Sequence, residues 1–402
     1  MQRSHRWHHL AALIMCVAHG ALLFGMPFFV KGVLKATPGQ IGIMSLLGPG
    51  TYVVACLKFS ALSDRIGRKK FLVVGPLVFG LCFLIMSRAT SIWQVYCLQI
   101  PQGLASGAFW PSLQASLADS TPPERLSKVL GVFNIAWTGG QTIGMLMAGL
   151  AYDWTPTGWQ EQSPLLVAVG AAMLTGAVAM CGLPRSRPAG ESADESLDGA
   201  AKGGPASGPP PPEHRGNAFF VAALVSNFVG IGTVVTVRIF FVEIARDLGY
   251  GGSGSSILLA MTCVSQAVAF AILGRSGFWH YRRAPLFAAQ AVMAAACLYM
   301  AWGSSYHALM VAGMIAGACV GITYASSLFY GLDRGAAKGA SSGLHEAALG
   351  AGASVVPFIG GQIADFVRFD RAAYISAPCL VALAMVIQVL ILRRRGASRK
   401  PE

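Results

Sequence analysis

Three ionisable side chains stand inside apolar stretches, where a charge is costly. Glu346, Arg238 and His19 are each flanked by aliphatic and small residues. A carboxyl in that setting can carry a proton or bind a cation, a guanidinium can fork onto a carboxylate or phosphate, and an imidazole can titrate near neutral pH. A charge at mid-bilayer costs about 2.5–3.5 kcal/mol on insertion scales, so such groups usually face a cavity or a partner. Of the 17 acidic residues, Glu346 is the one set well within an apolar stretch, with His345 beside it. Structural readings compete with these. Glu346 could tie helices together, His19 could be a lone hydrogen-bond partner, and Arg238 could snorkel toward the interface near Glu243.

Neutral polar and aromatic residues form faces around these groups. Gln99, Gln102, Ser106 and Trp110 recur at three- and four-residue spacing, which places them on one side of a helix. Asn134, Trp137 and Gln141 repeat the pattern, and Asn227, Tyr324 and Ser327 complete the candidate set. Amide, hydroxyl and aromatic faces suit a polar organic solute. The competing reading is hydrogen bonding between helices, worth about 0.6 kcal/mol a residue in membranes.

The elements that must position these residues are membrane helices. The chain has 402 residues, 54% hydrophobic and 12% charged, with a mean hydropathy of +0.57. Soluble domains carry about 25% charged residues, so a soluble fold is excluded. Crossing a bilayer takes about 20 apolar residues. Segments of that kind run at 10–32, 40–61, 71–88, 92–117, 128–152, 164–183, 218–243, 253–274, 284–303, 306–330, 341–366 and 372–392. The net charge of +13 raises nucleic-acid binding as a possibility. However, most Lys and Arg residues fall on the loops that share a side with both termini, the positive-inside pattern. The excess is therefore topological, no nucleic acid is expected, and both termini are expected in the cytoplasm. The 9 cysteines are odd in number and all lie in apolar stretches. They form no CxxC or Cys/His cluster, so no disulfide framework, metal or cofactor is expected.

The stretch 185–216 is rich in Pro, Gly, Ser and acids and reads as a flexible linker. It divides the chain into six-helix bundles at 1–184 and 217–402. Four matches link the halves: Ala11-Ala12-Leu13 with Ala222-Ala223-Leu224, Phe28-Phe29-Val30 with Phe240-Phe241-Val242, Gly103/Gly107 with Gly313/Gly317, and Gly149…Asp153 with Gly361…Asp365. All lie at nearly one offset, the signature of a unit used twice. The same offset pairs Asn134 with Glu346. The fold expected is all-α: twelve transmembrane helices in two pseudo-symmetric bundles.

With two such halves in place, the chain resembles the major facilitator superfamily along its whole length. The most specific likeness is Ser60-Ala61-Leu62-Ser63-Asp64-Arg65-Ile66-Gly67-Arg68-Lys69-Lys70. It is similar to the family loop G-x-L-x-D-R-x-G-R-K, with Ser60 in place of the first Gly. The resemblance implies a conformational latch at Asp64, Arg65, Gly67, Arg68 and Lys69. It also implies a central cavity lined by the first, fourth, seventh and tenth helices, with the fifth, eighth and eleventh contributing. Two departures count against proton-driven drug export: Gln99 stands where many proton-coupled members have Arg, and Gly139-Gly140-Gln141 lacks the antiporter Gly-Pro.

The expected function is secondary transport of a small polar or anionic organic solute by alternating access. Glu346 would couple it to protons, in a monomer embedded in the lipid bilayer of the inner (plasma) membrane. The alternatives are efflux of amphipathic compounds and a non-transporting receptor or scaffold on the same fold. No Ser/His/Asp, metal-ligand or phosphate-loop constellation supports an enzyme.

Overall fold

The computed structural model describes residues 2–121, 123–183, 213–333 and 338–394. The described residues are helical, without a β-strand. The first bundle holds α1 (Gln2–Gly32), α2 (Pro38–Ile66), α3 (Arg68–Met86), α4 (Ile92–Asp119), α5 (Pro123–Trp154) and α6 (Ser163–Gly182). The second holds α7 (Glu213–Ile239), the short α8 (Phe241–Leu248), α9 (Gly252–Leu273), α10 (Arg283–Trp302), α11 (Tyr306–Asp333), α12 (Lys338–Val367) and α13 (Ala373–Arg394). Most of the expected linker lies outside the described residues. Its last four residues are already helical, since α7 starts at Glu213. The proline run ends at Pro212, just before that start, and proline favours a helix N-terminus.

Local signals explain several boundaries. Thr37 caps α2 in a reciprocal capping box with Gln40, and Pro38 opens the helix, a combination that satisfies the orphan N–H groups of the first turn. Between α2 and α3 the chain turns at Gly67 with φ of 93°, a backbone region that favours glycine. Helix-interior prolines such as Pro27, Pro49 and Pro357 are tolerated because neighbouring helices supply alternative bonds. Among the described residues, ten stretches are long and apolar enough to cross a membrane, and α4 and α5 are not among them. Those two are as long as the rest but carry Gln99, Gln102, Gln114, Asn134 and Gln141.

The repeat read in the sequence is a repeat of packing. In the first bundle α1 packs on α5 and α6, α2 on α4, and α3 on α4 and α6. The second bundle reproduces every pair: α7 on α12 and α13, α9 on α11, and α10 on α11 and α13. The bundles meet along two equivalent seams, α5 against α9 and α12 against α2.

The two ends of the molecule differ. The face on which α1 starts and α13 ends is here the terminal face, and the opposite one the far face. Exposed Trp93, Trp154, Trp302 and Phe366 sit at helix ends of the far face, where an aromatic belt marks the membrane boundary. That face is bonded across the bundles. Asp153, ending α5, accepts the N–H groups of Gly252 and Ser253 at 2.7 Å each, and so caps α9. Its repeat mate Asp365, ending α12, accepts the Thr37 hydroxyl at 2.6 Å, at the cap of α2. One turn before each aspartate stands a glycine, Gly149 and Gly361. A Cβ there would overlap the first turn of the opposing helix, at Ser256 and Gly252 in one seam and at Pro38 in the other. Lys31 adds ion pairs to Glu243 at 2.8 Å and Asp370 at 3.1 Å.

Bonds within each bundle also tie the terminal face. Arg68 pairs with Asp119, and Lys69 donates to the Leu183 carbonyl at 2.8 Å. Arg283 donates to the Leu392 carbonyl at 3.1 Å. Polar bonds from one bundle to the other are present in the far half and at mid-depth.

Candidate functional site

A cavity of about 270 Å³ opens between the bundles and takes its wall from both. It lies at the small end of the range for ligand sites, about 300–1,000 Å³, so a compact solute fits best. Among the lining residues are His19, Gln99, Gln102, Trp110, Asn134, Trp137 and Gln141 from the first bundle, and Arg238, Tyr324 and Glu346 from the second. Ten of the sequence candidates are thus brought to one space. Aliphatic side chains such as Leu22, Leu23, Ile231 and Val234 fill the wall between them.

The two formal charges of this wall both reach across the bundle boundary. Glu346 on α12 accepts the Tyr52 hydroxyl of α2 at 3.3 Å, and Gln114 of α4 lines the same cavity. Arg238 on α7 is 4% exposed, so it does not snorkel to the interface. Its Nη1 donates to Gln141 Oε1 of α5 at 3.4 Å, its Nε to Thr262 Oγ1 at 3.2 Å, and its Nη2 to Cys263 Sγ at 3.2 Å and Gln266 Oε1 at 3.4 Å. Every partner is neutral. The helical phase of α7 turns Arg238 inward, where the amides and hydroxyl of α5 and α9 receive it.

His19 is held on both ring nitrogens. Nδ1 lies 2.9 Å from the Met15 carbonyl, which can only accept, so Nδ1 carries the proton. In the neutral ring Nε2 then accepts the Ser106 hydroxyl at 3.1 Å. The ring packs against Phe79 and Trp110. Trp137 and Tyr324, one from each bundle, stack with planes 22° apart and centroids separated by 6.4 Å.

Three candidates fall elsewhere. His345, Asn227 and Ser327 are buried together inside the second bundle and do not line the cavity. His345 Nδ1 lies 2.8 Å from Ser327 Oγ and 3.5 Å from Asn227 Nδ2. Neighbours on a helix diverge by about 100°, so turning Glu346 to the cavity turns His345 to α7 and α11. The pairing of Asn134 with Glu346 holds as two lining positions, yet Glu346 is bonded to Tyr52. At the expected latch, Arg68 and Lys69 tie α3 to α4 and α6 within the first bundle, and the side chains of Asp64 and Arg65 lie outside the described residues.

The sequence reading missed Tyr52, Gln114 and Gln266. Gln114 had a signal, because it continues the Gln102, Ser106, Trp110 face by one more step of four. Gln266 follows Thr262 by four residues, a weaker form of the same signal, and Tyr52 has no such repeat.

A family profile described as Major Facilitator Superfamily matches residues 9–275. The chain belongs to that superfamily. Among curated superfamily relatives, the 4-hydroxybenzoate transporter PcaK of Pseudomonas putida is 33% identical over 160 residues, 39% of this chain and 33% of that protein. Multidrug resistance protein MdtG of Serratia proteamaculans is 35% identical over 95 residues, 24% of this chain and 23% of its own length. The chain therefore aligns with a third or less of each of these two relatives. Multidrug resistance protein MdtL of Salmonella heidelberg is 26% identical over 250 residues, 62% of this chain and 60% of that one. The solved nucleoside transporter NupG superposes with a TM-score of 0.71 at 12% identity, covering 98% of this chain and 99% of its own. That superposition extends the superfamily fold over both bundles.

Proposed function

We propose that this superfamily member is a secondary transporter of a small polar or anionic organic solute. It works by alternating access, with Glu346 as the group that takes up and releases a proton. One observation carries the reading: the two formal charges of the central cavity, Glu346 and Arg238, are each bonded to the opposite bundle. A solute or proton that engages either group competes with a bond across the seam, so occupancy biases which face of the carrier is open. The relatives named for 4-hydroxybenzoate, drugs and nucleosides support solute transport and differ in solute. The positive-inside distribution supports a cytoplasmic terminal face in the inner membrane, and the far-face bonds favour reading this as the inward-facing state. The small cavity and the two charges favour a polar solute over an amphipathic efflux substrate.

The test is flux in proteoliposomes with and without an imposed pH gradient. Glu346→Gln is expected to abolish gradient-driven accumulation while leaving counterflow exchange intact. Accumulation that persists in this variant would remove Glu346 from coupling.

A further inference from the structure

The far end of the cavity holds more donors than the protein satisfies. Arg238 is buried and lines the cavity, and its four acceptors are all neutral, at 3.2–3.4 Å. A buried guanidinium without a counter-charge is an unfavourable arrangement unless a ligand completes it. Beside it, Gln266 is 1% exposed and also lines the cavity. Its Oε1 is taken by Arg238, and its Nε2 is buried with no hydrogen-bond partner. Two groups on adjacent helices therefore offer N–H donors at one place, which is the requirement for a carboxylate.

About one helical turn nearer the terminal face lies a surface of different chemistry. Trp137 precedes Gln141 by four residues on α5, roughly 6 Å along the axis. It stacks with Tyr324 of the other bundle, and Phe270 packs edge-on against Tyr324 with centroids 5.4 Å apart. A single planar ring carrying a carboxylate directly or through a short spacer spans that separation. The cavity of about 270 Å³ has room for one such ring.

We infer that the cavity binds a small aromatic carboxylate, with its carboxylate on Arg238 and Gln266 and its ring against the Trp137–Tyr324 pair. This rests on the transport reading above and narrows its solute class. The ligand touches both bundles, so its ring and its charge bear on the seam at once.

The experiment uses the full-length protein in nanodiscs, with binding read by tryptophan fluorescence and thermal stabilisation. The probes are benzoate, cyclohexanecarboxylate, acetate and benzyl alcohol. Benzoate is expected to bind at least tenfold more tightly than cyclohexanecarboxylate, which matches its charge and size without a π face. Acetate and benzyl alcohol are expected to bind more weakly still. Arg238→Gln should remove benzoate binding, and Arg238→Lys should restore part of it, a rescue that separates charge recognition from a folding defect. Trp137→Leu should bring benzoate down to the level of cyclohexanecarboxylate and leave the latter unchanged. Equal affinity for benzoate and cyclohexanecarboxylate, both lost in Arg238→Gln, would overturn the aromatic class and leave an anionic solute standing. Binding of benzyl alcohol as tight as benzoate, or benzoate binding indifferent to Arg238, would overturn the carboxylate anchor. Absence of binding by all four probes would overturn the inference, and the flux test of Glu346 would still decide the transport reading on its own terms.

Discussion

Removing the two far-face caps together is expected to open that face. Asp153 accepts two backbone N–H groups at 2.7 Å across the α5–α9 seam, and Asp365 accepts Thr37 across the α12–α2 seam. Replacing a capping carboxylate by alanine costs about 0.5–2 kcal/mol. Both aspartates are exposed at the rim, so about 1 kcal/mol each is the appropriate scale. They share no partner, so their effects should add. Asp153→Ala/Asp365→Ala then shifts the balance toward far-face opening by about 2 kcal/mol, roughly 30-fold in population. The assay is pulsed dipolar spectroscopy between spin labels at Thr90 and Ser304, exposed positions on the far loops of opposite bundles. Exposed Cys97, Cys181 and Cys379 must first be replaced by serine. A distance distribution that moves by less than twofold in population would refute the capping argument. Acid should act in the same direction. Partial burial pushes the Asp153 carboxyl up, but hydrogen bonds from Ser253 and Gly252 outweigh it and hold the carboxyl below its ordinary 3.8. Its support for the closed face is therefore full above that value and is lost as pH falls below it.

Gly149→Val should shift the same label distance toward opening without touching a charge, because its side chain would overlap Ser256 and Gly252 of α9; an unchanged distribution would show that the seam can yield. Gln290 and Gln388, both 0% exposed, exchange hydrogen bonds of 2.8–2.9 Å between α10 and α13. Gln290→Leu alone should lower stability by about 1–3 kcal/mol, because it strands the buried partner. The double change Gln290→Leu/Gln388→Leu should recover most of that loss in thermal melts in detergent.

The amino-acid pattern shows the helices, the repeat and most of the polar and aromatic lining of the cavity, because each of these is a periodicity. Gln99, Gln102 and Trp110 recur at helical spacing, and Asn134 and Glu346 share the repeat offset, so their common cavity could be read from one dimension. What could not be read is which way an isolated residue turns. Arg238 was equally compatible with the interface and the interior, and the packing of α7 on α11 and α12 decides it. His345 adjoins Glu346 in sequence, yet adjacency on a helix separates faces, and His345 meets Ser327 and Asn227 instead. Asp153 and Asp365 were visible as repeat mates, but their role as caps exists only once α9 and α2 are brought against them.

The placement of Arg238 and Glu346 on the same bundle has an electrical consequence. With Glu346 ionised, the empty cavity wall sums to zero charge. With a carboxylate on Arg238 and a proton on Glu346, the loaded wall also sums to zero. Moving one elementary charge through the full membrane potential involves about 2.3 kcal/mol per 100 mV, and neither reorientation of this carrier would move one. On the proposed coupling, flux should follow the pH gradient and ignore an imposed potassium diffusion potential, so proteoliposomes with a collapsed voltage but a pH difference would still move solute.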